Sequence, residues 1–353
     1  MSEKVLMKGN EALAEAAIRS GCKMFFGYPI TPQTELAAYM AKKMPKIDGV
    51  FLQAESEVAA INMVYGAASA GKRVMTSSSS PGVSLKQEGI SYIAGSDLPC
   101  VIVNIVRGGP GLGGIQPAQS DYFQAVKGGG HGDYNLIVLA PSSIQEIVDI
   151  VHDAFDIADK YRMPVMIMGD GMLGQMMEPI SFPDADEVKI PEKPYATNGT
   201  QLKRKKNIVN SLYIEPSELE KMVFERYERY KKVEENEVRV EEYKLDDAEY
   251  VIAAYGTIAR VAKTAIEKLR ADGVKVGLIR PITLWPFPKA SFENVAGKVK
   301  GILTVEMSMG QMVEDVRLSV NGKCPVDFYG RTGGMIPTPD EICAALLKMK
   351  EGK

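Results

Sequence analysis

FLQAESEVAAINMVYGAASAGKRVMTSSSSPG, residues 51–82, is the stretch from which the architecture of the chain can be read. Its pattern predicts a strand, an acidic turn, a helix, a second strand and a loop. The helix, expected over residues 58–70, carries apolar side chains around its whole circumference, which predicts that it is buried. Ser56 is the expected N-cap of this helix, and Gly71 is the expected C-terminal stop.

Two acidic residues, Glu55 and Glu57, precede this apolar helix. One interpretation is that both simply complement the positive end of the helix dipole. The alternative is that one of them is a working carboxylate in a dry pocket, where it exchanges a proton or a hydrogen bond with a ligand. The spacing alone favours the first interpretation, because acidic residues in a first helical turn are common.

The composition predicts an ordinary globular protein rather than a specialised class. The length of 353 residues indicates two or three domains, and 45 % hydrophobic with 25 % charged residues is typical of soluble chains. A net charge of −3 gives no reason to expect nucleic acid or an anionic membrane as a partner. No apolar run has the length of a bilayer span, and the first residues lack the apolar core of a signal peptide, so we expect a cytoplasmic protein with no membrane contact.

Cysteine and histidine usage argues against a metal site in this chain. The cysteines are far apart and never form CxxC, so we expect them to act as small buried residues. They are Cys22, Cys100, Cys324 and Cys343. The two histidines, His131 and His152, are too few for a histidine-rich metal site, and no GxSxG motif is present for a serine nucleophile. Any chemistry is therefore expected to use a cofactor.

Upstream of the central stretch, the sequence predicts two helices and a short strand. Asn10 is the expected cap of the helix EALAEAAIRS, and KMFFG is the expected strand. In the following YPITPQTE, Thr31 is at an expected N-cap, with Pro32 at the first helical position. A helix N-terminus with a hydroxyl can bind a carboxylate or phosphate, although Thr31 acting only as a cap is the simpler interpretation.

Downstream, CVIVNIVR is expected to be a buried strand that ends at Arg107. This position is where open α/β sheets bind ligands, and a guanidinium there can grip a carboxylate with two hydrogen bonds. An ordinary ion pair is the alternative. The next residues, GGPGLGG, formally satisfy GxGxxG, but they run into IQPAQSDYF rather than an apolar helix. We therefore reject a dinucleotide site and expect a mobile loop beside a ligand.

The alternation of strands and helices predicts a parallel, doubly wound sheet. Residues 169–171 read GDG and Asn198 follows, which is the spacing of a magnesium–diphosphate motif, but prolines interrupt the interval. We expect that match to be accidental. Residues 183–215 are expected to be a linker and residues 217–243 one long charged helix. A second α/β unit begins near residue 248, and in it Glu306 is expected to be structural.

Four motifs in this order resemble the α subunit of the 2-oxoacid:ferredoxin oxidoreductases. They are GNEALAEAAIRSG, YPITPQTE, AESEVAAINMVYGAASAG and VRGGPGLGGIQPAQSDYF. The resemblance implies two doubly wound α/β domains. Residues 1–182 would be the pyrimidine-binding domain for thiamine diphosphate, residues 183–247 the linker and charged helix, and residues 248–353 a domain like the transketolase C-terminal domain.

The resemblance also implies residue roles. Glu57 looks like the glutamate that hydrogen-bonds N1′ of the cofactor aminopyrimidine, where a carboxylate favours the imino tautomer and hence loss of the thiazolium C2 proton. Thr31 and Arg107 look like the pair that holds the 2-oxoacid carboxylate. Leu112 and the glycine loop around it would shape the side-chain pocket.

The cofactor itself would be flanked by two loops. These are YPITP, with Pro29 and Ile30, and SSSSPG, with Ser80.

The resemblance places the remaining parts of the enzyme in other chains. A β subunit would bind the diphosphate, magnesium and a 4Fe-4S cluster, and a γ subunit with a ferredoxin-like chain would complete the complex. The reaction would convert a 2-oxoacid and CoA to acyl-CoA, CO2 and reduced ferredoxin, and this chain alone would be inactive. The glycine loops most resemble the enzymes acting on branched-chain 2-oxoacids such as 2-oxoisovalerate.

Several alternatives remain open at this point. A 2-oxoglutarate or pyruvate enzyme belongs to the same reaction class. From other classes, the chain could be a nucleotide-binding dehydrogenase built on GGPGLGG or a non-catalytic scaffold subunit. The sequence does not assign roles to His131 or to the second domain.

Overall fold

The computed structural model describes residues 4–183 and 188–352. Residues 184–187 of the expected linker, together with the chain ends, lie outside the described residues. The described chain forms two parallel, twisted α/β sheets that are each covered by helices, and one small antiparallel pair of strands. This confirms the predicted fold class, whereas the predicted domain boundaries stay a prediction.

The larger sheet has seven strands among the described residues, in the spatial order β12-β6-β7-β5-β4-β2-β3. Its pairs are parallel, except that β12 runs antiparallel to β6. The strands are β2 (Met24–Gly27), β3 (Val50–Gln53), β4 (Val74–Ser78), β5 (Cys100–Val106), β6 (Ile137–Leu139), β7 (Pro164–Asp170) and β12 (Thr283–Trp285). The small pair, β1 with β8, consists of Val5–Lys8 and Met177–Ile180.

Helices cover both faces of this sheet, and the alternating side chains of its strands feed two cores. On β5, for example, Ile102 and Val106 belong to one core, and Val101, Val103 and Ile105 belong to the other. The first helices are α1 (Gly9–Arg19), α2 (Thr34–Lys43), α3 (Glu57–Ser69), α4 (Pro81–Gly95), α5 (Tyr122–Val126), α6 (Ile144–Tyr161), α7 (Gly171–Gln175) and α8 (Pro216–Asn236).

The second sheet has the order β14-β13-β10-β11-β9 and is parallel except for β9. Its strands are β9 (Val240–Tyr243), β10 (Tyr250–Ala253), β11 (Val276–Pro281), β13 (Gly301–Glu306) and β14 (Val326–Gly330). Its helices are α9 (Gly256–Ala271), α10 (Lys289–Ala296), α11 (Met312–Val320) and α12 (Pro339–Lys350). Because β12 comes from this part of the sequence yet pairs with the first sheet, the two units share a core that includes Val138 and Val251.

The strand order places a topological switch point between β2 and β4. In the sheet, β3 lies outward of β2 on one side, and β5, β7 and β6 lie outward of β4 on the other. Loops that leave the carboxyl ends of strands at such a point diverge and open a crevice, which is where α/β sheets bind ligands. The loops that carry Thr31, Glu57, Ser80 and Arg107 follow β2, β3, β4 and β5, respectively.

Two predicted caps are wrong. Asn10 lies inside α1, where its buried amide donates a hydrogen bond to the Pro32 carbonyl at 2.8 Å. Thr31 does not cap α2, because the helix begins at Thr34 and the intervening residues form a turn in which the Gln33 amide donates to the Ile30 carbonyl. At Asn10 a contact with a distant part of the chain replaces the local pattern, whereas at Thr31 a local turn delays the start of the helix.

The predicted helix over residues 217–243 is too long. Helix α8 ends at Asn236, and Val240–Tyr243 is a strand that pairs antiparallel with β11. The strand partner lies far along the sequence, so the local charge pattern does not reveal it. None of the helices in residues 4–183 and 188–352 combines the length and apolarity of a bilayer span.

Helix α3 is not buried on every side, contrary to the prediction. Ala60, Ile61 and Val64 pack into the core, but Val58 keeps 43 % of its surface exposed and Asn62 is exposed one turn later. The apolar residues around α3 therefore lie in two different environments. One face meets the sheet of this chain, and the other lies at the surface.

Candidate functional site

Glu57 is the first residue of α3, at the carboxyl end of β3. Ser56 caps the helix as predicted, with its hydroxyl accepting a hydrogen bond from the Ala59 amide at 3.1 Å. Glu57 is 5 % exposed, whereas Glu55 is exposed. Within the described chain, the Glu57 carboxylate has no hydrogen-bond or ion-pair partner. A buried carboxylate without a partner is costly, so this group is available to a ligand.

The carboxylate of Glu57 lies against the first turn of α4 at Gly82. A Cβ atom at Gly82 would be 2.6 Å from Glu57 Oε1 and 2.1 Å from Ser78 Oγ. Only a glycine leaves room for these two oxygens at this position. The close approach of helix, glycine and strand end fixes where the carboxylate lies.

Residues 78–80 lie between Glu57 and the loop that follows β5. The Ser80 amide donates to Asn104 Oδ1 at 3.0 Å, and the Arg107 amide donates to Ser80 Oγ at 3.0 Å. The hydroxyls of Ser78 and Ser79 are buried and have no partner in the described residues. These hydroxyls and the Glu57 carboxylate fit a polar, hydrogen-bonding group such as an aminopyrimidine ring.

Arg107 and Thr31 lie together, and the contact is made through the backbone of Thr31 rather than its hydroxyl. The Arg107 guanidinium donates to the Thr31 carbonyl at 2.9 Å and to the Leu112 carbonyl at 3.0 Å. These bonds use two of its five N–H donors, and the buried Nε has no partner among the described residues. The guanidinium is thus held in place with donors left over. The Leu112 side chain is 82 % exposed.

Arg107 lines a cavity of about 590 Å³ between the two units. The first unit contributes Ser80, Arg107, the loop Gly108–Gly111 and Asp121, and the second unit contributes Met309, Gln311 and Thr332. Asn104 donates a hydrogen bond to Asp121 at 2.9 Å, but burial raises the pKa of the Asp121 carboxyl above its usual value. The second unit is therefore part of the site, which the sequence did not reveal.

The glycine loop after Arg107 supports the rejection of a dinucleotide fingerprint. Residues 108–121 contain no helix, and the loop closes on itself through hydrogen bonds from the Gly108 amide to the Gln116 carbonyl and from the Gly114 amide to the Gly108 carbonyl. A helix N-terminus that could receive a pyrophosphate is therefore lacking in this segment.

Lys86, on α4, is a buried cation that the sequence analysis did not single out. It is fully buried and donates to Thr76 Oγ1 at 2.7 Å and to the Ser77 carbonyl at 3.0 Å. Burial lowers the pKa of Lys86 to about 7, and the negative charge of Glu57 opposes that shift. In the sequence, Lys86 is recognisable only as the single cation of the segment Pro81–Gly95.

Several other candidates have structural roles. Asp170 of the GDG sequence caps α7, accepting from the amides of Met172 and Leu173, and Asn198 accepts from Arg204. Glu306 accepts from three backbone amides at the start of α11 and from the Ser308 hydroxyl, so it is structural as expected.

The remaining predicted residues lie at the surface or are packed as small groups. His131 and Pro29 are exposed, and Ile30 is partly buried. Cys22 and Cys100 are buried as expected, and Cys324 and Cys343 are partly buried. In the described part of the chain, no cluster of three or more histidine, cysteine or acidic side chains is arranged to hold a metal.

Family models match most of the chain. Residues 15–244 match the model described as pyruvate flavodoxin/ferredoxin oxidoreductase, thiamine diP-bdg, and residues 248–342 match that of pyruvate:ferredoxin oxidoreductase core domain II. The chain is 52 % identical to ketoisovalerate oxidoreductase subunit VorB of Methanothermobacter marburgensis, over 98 % of this chain and 97 % of the relative. It is 37 % identical to 2-oxoglutarate synthase subunit KorA of Methanothermobacter thermautotrophicus, over 99 % of this chain and the whole relative.

Two solved structures are similar to this fold. The 2-oxoglutarate:ferredoxin oxidoreductase of Magnetococcus marinus, solved with 2-oxoglutarate, coenzyme A and succinyl-CoA bound, has a TM-score of 0.89 and 30 % identity. The match covers 98 % of this chain but 65 % of that one, so this chain spans about two thirds of its length. A split-gene transketolase, described as an inactive β4 tetramer, has a TM-score of 0.62 at 16 % identity over 97 % of both chains and shows the fold alone.

Proposed function

The chain belongs to the 2-oxoacid:ferredoxin oxidoreductase family, and from that premise we propose that it carries the pyrimidine-binding half of a thiamine-diphosphate site for a branched-chain 2-oxoacid. The reaction would convert 2-oxoisovalerate and CoA to acyl-CoA, CO2 and reduced ferredoxin. The observation that carries this proposal is Glu57, a buried carboxylate without a partner in the described chain, placed by Gly82 at the switch point of the first sheet.

Glu57 would hold the aminopyrimidine of the cofactor through a hydrogen bond at N1′. The unpaired hydroxyls of Ser78 and Ser79 offer further hydrogen bonds beside it. When bound, thiamine diphosphate supplies the carbon nucleophile and the electron sink of the reaction. The part of this chain is to hold or move a proton at N1′ and to keep water away from the carboxylate, since low exposure strengthens every electrostatic contact there.

Arg107 would bind the carboxylate of the 2-oxoacid. Its guanidinium is already oriented by the carbonyls of Thr31 and Leu112, so little side-chain entropy remains to be lost on binding. Holding the carboxylate beside the reacting carbon places the neighbouring carbonyl for attack. Loss of CO2 then removes the negative charge that the guanidinium neutralised.

The charge and polarity of the residues that line the cavity favour a substrate with a single carboxylate. Arg107 is the one cation among its described lining residues, and Pro110 and Met309 add apolar surface. A second carboxylate, as in 2-oxoglutarate, would have no cation to pair with and would approach Asp121. The 52 % identity to a ketoisovalerate oxidoreductase subunit supports the same choice.

The rest of the active site is proposed to come from partner chains. A β subunit would bind magnesium, the diphosphate and a 4Fe-4S cluster, and a γ subunit, a ferredoxin-like subunit and ferredoxin would complete electron transfer. The surface around Glu57 supports a partner here, because Leu52, Val58 and Leu85 keep 40 %, 43 % and 55 % of their surface exposed. Exposed apolar residues beside a buried, unpaired carboxylate are what an interface requires.

The proposal is tested by the rate of acyl-CoA formation in the assembled complex. Rates are compared across 2-oxoisovalerate, 2-oxoglutarate and pyruvate at matched concentrations, as kcat/KM. We expect 2-oxoisovalerate to give the highest value, because its branched apolar side chain suits the cavity. A higher value with 2-oxoglutarate would assign the enzyme to the alternative substrate class, and activity with none of the three would contradict the proposal.

A further inference from the structure

The second sheet has a switch point of its own, between β10 and β13. In this sheet, β11 lies outward of β10 on one side and β14 lies outward of β13 on the other. Ligand-binding crevices of α/β sheets open at the carboxyl ends of the strands at such a point. The loop that leaves the carboxyl end of β13, residues 307–311, contributes Met309 and Gln311 to the cavity at Arg107. Both sheets therefore present loops from their carboxyl ends to the same cavity.

Hydrogen bonds hold this loop against the first unit on both sides of Met309. Before it, the Gln119 backbone amide donates to the Met307 carbonyl at 2.8 Å, and the Met307 backbone amide donates to Gln119 Oε1 at 2.9 Å. After it, the Gln311 side chain donates to the Ser120 carbonyl at 2.7 Å and accepts from a backbone amide of α5 at 2.8 Å. The backbone at Met309 is therefore fixed relative to the first unit.

The loop that follows β14 packs directly against the glycine loop beside Arg107. A Cβ atom at Gly108 would lie 3.4 Å from the Gly334 backbone nitrogen, and a Cβ atom at Gly334 would lie 2.4 Å from Gln116 Cβ. The lack of side chains at both glycines allows this close approach. Thr332 of the same loop lines the cavity. Two loops of the second unit thus contact the segment that is proposed to bind the substrate.

The side chain of Met309 is not used for packing. It keeps 77 % of its surface exposed and belongs to none of the hydrophobic cores of the described chain. Two other apolar side chains among the described lining residues, Pro81 and Pro110, are short rigid rings, whereas methionine is long, flexible and adapts to what it contacts. Leu112, which was predicted to shape the side-chain pocket, is not among the described lining residues. Met309 is therefore available to contact an apolar part of a ligand.

We propose that Met309 is a specificity-determining residue, which contacts the branched side chain of the 2-oxoacid while Arg107 binds its carboxylate. This inference rests on the proposed function of the cavity. Met309 covers the isopropyl group of 2-oxoisovalerate and removes it from water. The methyl group of pyruvate is too short to make the same contact, and a second carboxylate meets a thioether that cannot pair with its charge. The second unit selects the side chain, and the first unit binds the reacting end.

The size of the effect follows from the apolar contact that is lost when Met309 is shortened. A hydrophobic pocket distinguishes substrates that differ by one methylene group by about 10- to 200-fold. Met309 is one of several groups around the side chain, so truncating it removes only part of that discrimination. We therefore expect a loss of about 5- to 20-fold for the branched substrate relative to pyruvate.

The first experiment measures kcat/KM for acyl-CoA formation by the assembled complex with 2-oxoisovalerate and with pyruvate. We expect Met309→Ala to lower the ratio of the two values by about 5- to 20-fold, and Met309→Leu to restore most of it, because leucine has a similar apolar volume. A purely structural role would lower both values equally. An unchanged ratio in Met309→Ala would overturn the proposal.

Met335→Ala is the matched control for this experiment. Met335 is also an exposed methionine of the second unit, with 55 % of its surface accessible, but it is not among the described residues that line the cavity. We expect the ratio of the two kcat/KM values to stay at the wild-type level in this variant. A fall as large as that in Met309→Ala would overturn the assignment to Met309.

A second measurement does not depend on turnover. Isothermal titration calorimetry of the assembled complex uses 2-hydroxyisovalerate and lactate, which keep the carboxylate and side chain of the two 2-oxoacids but lack the reacting carbonyl. We expect Met309→Ala to raise Kd by about 5- to 20-fold for 2-hydroxyisovalerate and by less than about 2-fold for lactate. Equal changes, or no binding of 2-hydroxyisovalerate by the wild type, would refute the role of Met309. If instead the wild type turned over pyruvate or 2-oxoglutarate in preference to 2-oxoisovalerate, the proposed function would fail while the Kd values still judged Met309.

Discussion

Replacing Gly82 by alanine is a direct structural perturbation of the Glu57 carboxylate. The added methyl group would be 2.1 Å from Ser78 Oγ and 2.6 Å from Glu57 Oε1, so both oxygens must retreat. Carbon–oxygen contacts this short are not tolerated, and the carboxylate must move by several tenths of an ångström to about 1 Å. A misplacement of that size at a reacting centre costs about 10- to 100-fold in rate.

We therefore expect Gly82→Ala to lower both kcat and the rate of deuterium exchange at C2 of bound thiamine diphosphate by about 10- to 100-fold. Overpacking should also reduce the free energy of unfolding by about 1 to 3 kcal/mol. The assays are proton NMR of quenched cofactor for exchange, acyl-CoA formation for kcat, and denaturant unfolding for stability.

Gly297→Ala is the matched control for this experiment. Gly297 is exposed at the end of α10 with φ −87°, and an added Cβ meets no atom within 4 Å. We expect wild-type activity and a small gain in stability of about 0.4 to 1 kcal/mol, because alanine reduces the entropy of the unfolded chain. Wild-type exchange and stability in Gly82→Ala would refute the placement of Glu57 against this helix.

Arg107→Lys should raise KM for the 2-oxoacid more than it lowers kcat. The reason is that a point charge replaces a planar guanidinium that also binds the carbonyls of Thr31 and Leu112. Steady-state kinetics of the complex measure both constants, and an unaltered KM would refute the role of Arg107. The wild-type chain should gain about 4 kcal/mol of unfolding free energy relative to Lys86→Met between pH 7 and pH 10, measured by denaturant unfolding. Stability rises with pH for the following reason. Burial lowers the pKa of Lys86 to about 7 in the folded chain, whereas the unfolded lysine keeps its proton up to about pH 10. The unfolded state therefore binds more protons than the folded state between pH 7 and pH 10. A pH-independent difference between the two proteins would contradict that burial.

Local rules predicted much of the fold because they act over a few residues. Ser56 caps α3, the apolar run after Asp97 forms the buried strand β5, and the glycine loop lacks the helix of a dinucleotide site. The placement of ligand-facing loops at the carboxyl ends of strands followed from the alternation of strands and helices alone. These features depend on hydrogen bonds and side-chain periodicity that are encoded within each segment.

The errors lie where distant residues compete with a local pattern. Asn10 binds the Pro32 carbonyl rather than capping α1, and residues 240–243 leave the charged helix to pair with β11. Because α3 has apolar residues on all sides, its sequence does not show which face packs into the core and which face is exposed. The burial of Lys86 and the contribution of the second unit to the cavity at Arg107 follow only from the folded chain.

The central claim is that Glu57 activates the cofactor, and deuterium exchange at C2 of bound thiamine diphosphate measures this before any substrate is added. In the assembled complex we expect Glu57→Gln to slow exchange by about 10²-fold or more, the usual effect of losing a positioned acid–base group. Glu55→Gln, at the exposed neighbouring acid, should leave exchange at the wild-type rate. Equal exchange rates in the wild type and Glu57→Gln, with the cofactor bound in both, would contradict the account.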